Sequence, residues 1–126
     1  MAYTTIDDPS AYFQTTLYTG DGSTSHAITN GGNSDLQADW LWIKSRSSTE
    51  QHFVFDSVRG QSKYIFPNAA NAEGTASTGI LNSFNSDGFT LGNNDGVNAN
   101  SETFVAWQWK KVAGVFDIQT YSGASN

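Results

Sequence analysis

His26 and His52 are the only imidazoles in the chain, and there is no cysteine. A hydroxyl nucleophile needs a base within hydrogen-bonding reach. Neither histidine sits in a recognisable nucleophile motif, so each is expected in a structural or surface role. Without cysteine, disulfides, thiolate metal sites and a thiol nucleophile are excluded. Paired carboxylates can cut glycosidic bonds. Here Glu50, Glu73 and Glu102 lie in or beside polar stretches, and most aspartates lie at turns. A turn carboxylate usually bonds its own backbone. The chemistry expected of this chain is therefore not enzymatic.

Binding chemistry is better represented. Residues 93–100, Asn-Asn-Asp-Gly-Val-Asn-Ala-Asn, gather oxygen atoms of the kind calcium takes. They lack the acidic spacing and closing glutamate of an EF-hand, and Asn and Gly fill loops simply because they tolerate left-handed backbone. A plain loop is expected, with no cofactor. Trp40/Trp42 and Trp107/Trp109 are two i, i+2 pairs. Tryptophan is a large apolar payload, so most of the four are expected in the core. Trp40 and Trp42, however, share strand parity with Lys44 and Arg46, and that face must meet water at one end. A tryptophan at such a border can stack on a sugar ring while loop amides and carboxylates take its hydroxyls. The candidate ligand site is thus Trp40, Trp42, Arg46, Asn94 and Asp95. Asp56 and Arg59 are expected to pair locally and fix a turn.

These side chains need a scaffold, and 126 residues suffice for one domain with one core. Charged residues make up only 14%, against about 25% in ordinary soluble domains. Ser, Thr, Asn and Gly must then supply the polar surface, which suits β-structure. A net charge of −6 with six scattered cations leaves no basic stripe for phosphates, so nucleic acid is not an expected partner. No apolar run approaches the ~20 residues of a membrane span. The acidic, polar start does not read as a secretory signal.

Short apolar bursts alternate with turn clusters, and helical spacing is almost absent. Strands are expected over residues 11–19, 25–29, 39–46, 51–58, 63–66, 79–84, 89–91, 102–112 and 115–121. Gly20-Asp21-Gly22 is read as a tight turn returning the first strand. Asn85-Ser86-Asp87-Gly88 is read as a hairpin. Residues 68–79 form a long loop or one helical turn around 69–73, and 92–101 a second loop. The fold class is all-β: a two-sheet antiparallel β-sandwich, jelly-roll or lectin-like, with little helix and an immunoglobulin-like sandwich as alternative.

The end of the chain repeats its beginning. Phe13-Gln-Thr-Thr-Leu-Tyr18-Thr-Gly20 returns as Phe116-Asp-Ile-Gln-Thr-Tyr121-Ser-Gly123. The expected layout is an N-terminal arm over 1–10, a sandwich domain over 11–112, and an extension over 113–126 resembling the start of a second module. Its residues Val115, Phe116, Ile118 and Tyr121 are expected in a strand that adds to a neighbour's sheet edge.

Five strings, in order, carry a resemblance: Phe13–Gly22, the run Trp42-Ile-Lys-Ser-Arg46-Ser, the run Asp56-Ser-Val-Arg59-Gly60, the run Ser83-Phe-Asn-Ser-Asp87-Gly88-Phe-Thr-Leu91-Gly92, and Val105-Ala-Trp107-Gln-Trp109-Lys110. Together, over 11–112, they resemble a β-sandwich domain of virion appendage and tail-fibre proteins in tailed, often marine, bacteriophages, lectin-like and similar in style to SPRY domains. Relatives of that kind are expected to be longer. The resemblance implies a virion structural role, with no catalytic motif. The leading reading built on it is a module that assembles as a homo-oligomer with other virion proteins, with a host-surface glycan as candidate ligand. A capsid decoration protein is the alternative, and a polysaccharide depolymerase the third reading.

Overall fold

The computed structural model describes residues 6–124; residues 1–5 of the expected N-terminal arm and 125–126 of the expected extension lie outside them. Nine strands form antiparallel sheets. β1 (Phe13–Thr19), β3 (Trp40–Ser45), β4 (Phe53–Asp56) and β9 (Thr103–Trp109) build one sheet in the order β1-β9-β3-β4. β2 (His26–Thr29), β7 (Leu81–Asn85) and β8 (Gly88–Leu91) build the second, ordered β2-β8-β7. β5 (Lys63–Tyr64) and β6 (Gly74–Thr75) form a small ribbon, tied to β4 by a bridge between Val54 and Ile65.

Period-two alternation decides what lies between the two larger sheets. Leu41 and Ile43 of β3, Phe53 and Phe55 of β4, and Phe104 and Ala106 of β9 face inward. They meet Ile28, Leu81, Phe89 and Leu91 of the second sheet in one cluster. Phe55, Phe89 and Phe104 are sealed from water. Each such side chain contributes on the order of 1.5–3 kcal/mol. This is the all-β, two-layer architecture expected from the spacing of apolar bursts.

Several local expectations need correction. β1 and β2 do not form a hairpin; the chain crosses from one sheet to the other between them. The reason is Asn98, fully buried in the distant 92–101 loop. Its side-chain oxygen accepts from the Asp21 N–H at 3.1 Å and lies 2.7 Å from His26 Nδ1. Its amide nitrogen reaches the carbonyls of Ser23 and Gly92 at 3.1 and 2.9 Å, and its own carbonyl accepts from the Gly22 N–H at 2.9 Å. The β1–β2 connection is thereby drawn over the 92–101 loop and away from a two-strand turn. That loop also holds the only α-helical turn among the described residues, α1 (Asp95–Asn98). Of the two readings of 68–79 the helical turn around 69–73 does not form; the segment is a loop that carries the two-residue strand β6. Asn94 caps α1 by accepting from the Gly96 N–H at 3.0 Å, and Val97 is buried in the core.

The hairpin at 85–88 forms as read, with Asn85 opposite Gly88. Gly88 has φ +117°, and a Cβ there would stand 2.0 Å from the Ile28 carbonyl oxygen, so no other residue fits. The strand expected over 115–121 does not form. Gly114, at φ +80°, turns the chain after β9; Val112 N–H donates to the Phe116 carbonyl at 2.9 Å and one bridge joins these residues. Beyond it the chain runs as an irregular strap across its own domain.

Asn98→Ala should cost about 2–4 kcal/mol, because it strands the Asp21 N–H and the Ser23 carbonyl, both partly buried, and the buried Gly92 carbonyl at once. Urea unfolding measures this; a loss below about 1 kcal/mol would show that the hub holds nothing.

Candidate ligand-binding face and cleft

All four tryptophans project from the outer face of the four-stranded sheet, each half-buried, and none enters the core between the sheets. This overturns the expectation that most would be core. The cause is parity: β9 sends Phe104, Ala106 and Gln108 inward, which leaves Val105, Trp107 and Trp109 outward. Cross-strand register then lines the outer side chains up in rows. Phe13, Trp109, Trp40 and Asp56 form one row; Thr15, Trp107, Trp42 and Val54 the next; Leu17, Val105 and Lys44 the third. Trp42 and Trp107 meet edge to face, with centroids 5.7 Å apart. Phe13 lies 4.8 Å from Trp109.

The C-terminal strap covers one end of this face. Phe116 packs at 6.1 Å from both Trp40 and Trp109, and Ile118 is buried. Val115 is 49% and Tyr121 91% exposed, so two of the four residues read as an assembly strand anchor the strap and two stand free. Between the strap and the turn after β4 lies a cleft of about 560 Å³. Trp40 lies against it, Asp56, Arg59 and Glu73 line one side, and Gln119 and Tyr121 the other.

Arg59 organises the polar side. Its Nε donates to Asp56 at 2.5 Å and its Nη1 to Glu73 at 3.1 Å. Lys63 adds a further cation 3.4 Å from Glu73. The Arg59 hydrogen bond, with support from Lys63, holds the Glu73 carboxyl below its usual range. Asp56 is almost completely buried. The expected turn-fixing pair is present, since Asp56 also accepts from the Arg59 backbone N–H at 2.8 Å. Glu73 was not anticipated; a lone acid in a small-residue loop gives no spacing signal, and β5–β6 pairing brings it back to Arg59.

The five expected ligand residues do not converge. Trp40 and Trp42 share the outer face. Arg46 is exposed just past the end of β3, where its N–H donates to the Thr103 carbonyl at 2.7 Å. Asn94 is committed to capping α1, and exposed Asp95 opens that turn. Gly96 of α1 abuts Phe53, an inward-facing residue, so Asn94 and Asp95 lie on the opposite side of the sheet from Trp40 and Trp42. Among the described residues no three His, Asp or Glu side chains stand together as a metal site would require.

His52 borders the aromatic rows and accepts from the Trp42 indole N–H at 3.0 Å. Burial, and secondarily the charge of Lys44, lower its pKa. The fold therefore holds the neutral ring. Its contribution to stability is complete above about pH 6.5, the ordinary histidine value, and is lost as pH falls through the lower folded value. His52→Gln keeps an acceptor for Trp42 without titrating. Between pH 7 and 5 its urea midpoint should fall less than that of the parent chain; equal slopes would remove His52 from the account. Arg59→Ala should cost about 2–4 kcal/mol, because buried Asp56 loses its countercharge and keeps only the backbone N–H of residue 59, whereas Glu73→Ala, at an exposed carboxylate, should move the urea midpoint far less. Denaturant titration of the two variants separates these outcomes.

No curated protein and no solved structure matches the chain. A family model does, over residues 8–123, from just before β1 to Gly123 of the strap: the chain belongs to the DUF7483 family, a domain of unknown function.

Proposed function

We propose that this chain is a structural, non-enzymatic module of a tailed-phage virion: an assembling, lectin-like β-sandwich of a tail fibre or other exposed appendage that binds host-surface glycan on its aromatic face. The observation that carries the binding role is that all four tryptophans stand on one outer sheet face, beside a cleft walled by Asp56, Arg59, Glu73 and Gln119. Tryptophan buried between the sheets would serve stability alone. Tryptophan in half-exposed rows offers flat apolar surface to a sugar ring, with charged and amide groups in reach of its hydroxyls. Contiguous apolar patches on a soluble domain commonly mark such recognition sites.

The virion assignment is supported by the ordered strings that resemble phage appendage domains. The cleft argues against a depolymerase. Hydrolysis of a glycosidic bond needs one carboxyl held protonated near neutral pH. Glu73 is pushed the other way by Arg59 and Lys63. A binding module is also consistent with weak single-site affinity raised by many copies on one appendage.

Trp40→Ala and Trp42→Ala should each weaken glycan binding at least about tenfold on an array that the parent chain scores on, the loss typical of a central aromatic anchor. Circular dichroism checks that both variants fold. Unchanged binding in both would end the glycan reading. Antibody to the purified chain should decorate the fibres or spikes of phage particles under the electron microscope. Labelling of a capsid lattice would favour the decoration protein instead, and unlabelled particles would defeat the virion reading.

A further inference from the structure

β1 is the longest edge strand among the described residues, and none of the described residues pairs with its outer edge. The other edge of its sheet, β4, is occupied by the bridge to Ile65, with main-chain bonds of 3.1 Å in both directions. β2 and β7, the edges of the second sheet, run only four and five residues, and β7 is interrupted by a register shift. β1 runs seven residues in unbroken register with β9. Natural edge strands are protected by charge, proline, bulges or brevity. β1 has none of these.

The backbone directions follow from its two ends. The Lys110 N–H donates to the Tyr12 carbonyl at 2.8 Å, and the Gly20 N–H donates to the Glu102 carbonyl at 2.8 Å. Even-numbered residues from 12 to 20 therefore bond β9, and Phe13, Thr15, Leu17 and Thr19 turn their N–H and C=O groups outward. Their side chains lie on the aromatic face, with Phe13 39% and Leu17 60% exposed. Along this edge runs a groove of about 510 Å³, bordered on its far side by Thr29 and by Gly31 and Gly32, which have no side chains to obstruct it. The strand is braced beside it: the Gln14 side chain bonds Ser10, Gly32 and Ser34, and Thr16 bonds Asn30.

We propose that the β1 edge is a self-association surface, and that its occupant is β1 of a second copy, antiparallel across a twofold axis at Thr16. The argument for a like copy is electrostatic and geometric. The chain carries a net charge of −6, so two copies repel wherever their acids meet. Residues 9–34, which form the strand and the border of the groove, contain one acid, Asp21 beyond the end of β1, and no Glu, Lys or Arg. The register sets Asp21 opposite Ala11 of the second copy, so this belt is where two such chains approach at least cost. The twofold register is also self-complementary: Phe13 faces Thr19 of the second copy, and Thr15 faces its Leu17. Every outward N–H and C=O of the strand finds a partner, on the order of eight main-chain bonds. The product is one continuous eight-stranded sheet whose outer aromatic faces lie side by side. The C-terminal strap is the poorer occupant, because Phe116 and Ile118 are already docked on their own domain. The pairing rests on backbone geometry and does not depend on the glycan reading.

Sedimentation of the full chain over a concentration series tests it. The parent chain should dimerise by about 100 µM, a weak but specific affinity. Thr15→Lys/Leu17→Lys, two exposed positions that meet across the axis, should remain monomeric or dissociate at least about tenfold more readily while melting normally as a monomer. Backbone amides of residues 15 and 17 should gain hydrogen-exchange protection as concentration rises. A parent chain that stays monomeric throughout, a double variant that dimerises as well as the parent, or unprotected amides at 15 and 17 in the dimer would each overturn the proposal.

Discussion

The pairing of β3 with β9 at the centre of the larger sheet is the constraint on which the rest depends. Trp40 lies opposite Trp109 and Trp42 opposite Trp107, while Leu41 and Ile43 lie opposite Gln108 and Ala106. A shift by one residue would exchange the faces, sending indoles into a space filled by leucine, isoleucine and phenylalanine and stranding those residues in water. Register here is therefore fixed by the volume and polarity of both faces at once. The same register that closes the core builds the aromatic rows outside it.

A chain with so few charges must secure its connections by other means, and it uses buried amides. Asn98 ties the β1–β2 connection to the 92–101 loop. On the other flank Gln108 and Asn30 exchange amide bonds of 2.6 and 3.2 Å, and Asn30 also donates to the Leu36 carbonyl at 3.0 Å. Neutral amides satisfy buried backbone groups without the desolvation cost of ions. The strong charge pairing is concentrated at Asp56, Arg59 and Glu73, beside the cleft. Structural polarity and surface recognition are thus carried by different residue types.

The strap links the two roles. It packs Phe116 on the outer face, buries Ile118 and leaves Tyr121 free, so the end of the chain contributes both an anchor and a wall of the cleft. Its sequence likeness to β1 does not give it the conformation of β1. In β1, Tyr18 is stacked on Phe104 at 5.2 Å and donates its hydroxyl to the Val97 carbonyl at 2.7 Å; burial raises its pKa well above the ordinary phenol range. Tyr121, at the matching place in the repeat, has no such pocket.

The all-β character, eight of the nine strands to within a few residues, the hairpin at 85–88 and the Asp56–Arg59 turn are all legible in the order of residues alone. Each depends on period-two alternation, turn residues or contacts a few positions apart, all of which are local. The same order also shows which of β9's residues share a face, but not which face is inside. That all four tryptophans point outward was settled by the packing of the two sheets, because it depends on what the second sheet offers to pack against. Tertiary packing alone separated Asn94 and Asp95 from Trp40 and Trp42, brought Glu73 to Arg59, and made the last segment a strap. Those outcomes rest on pairings between residues tens of positions apart, and the energy of such a contact is set by the partner that the fold delivers.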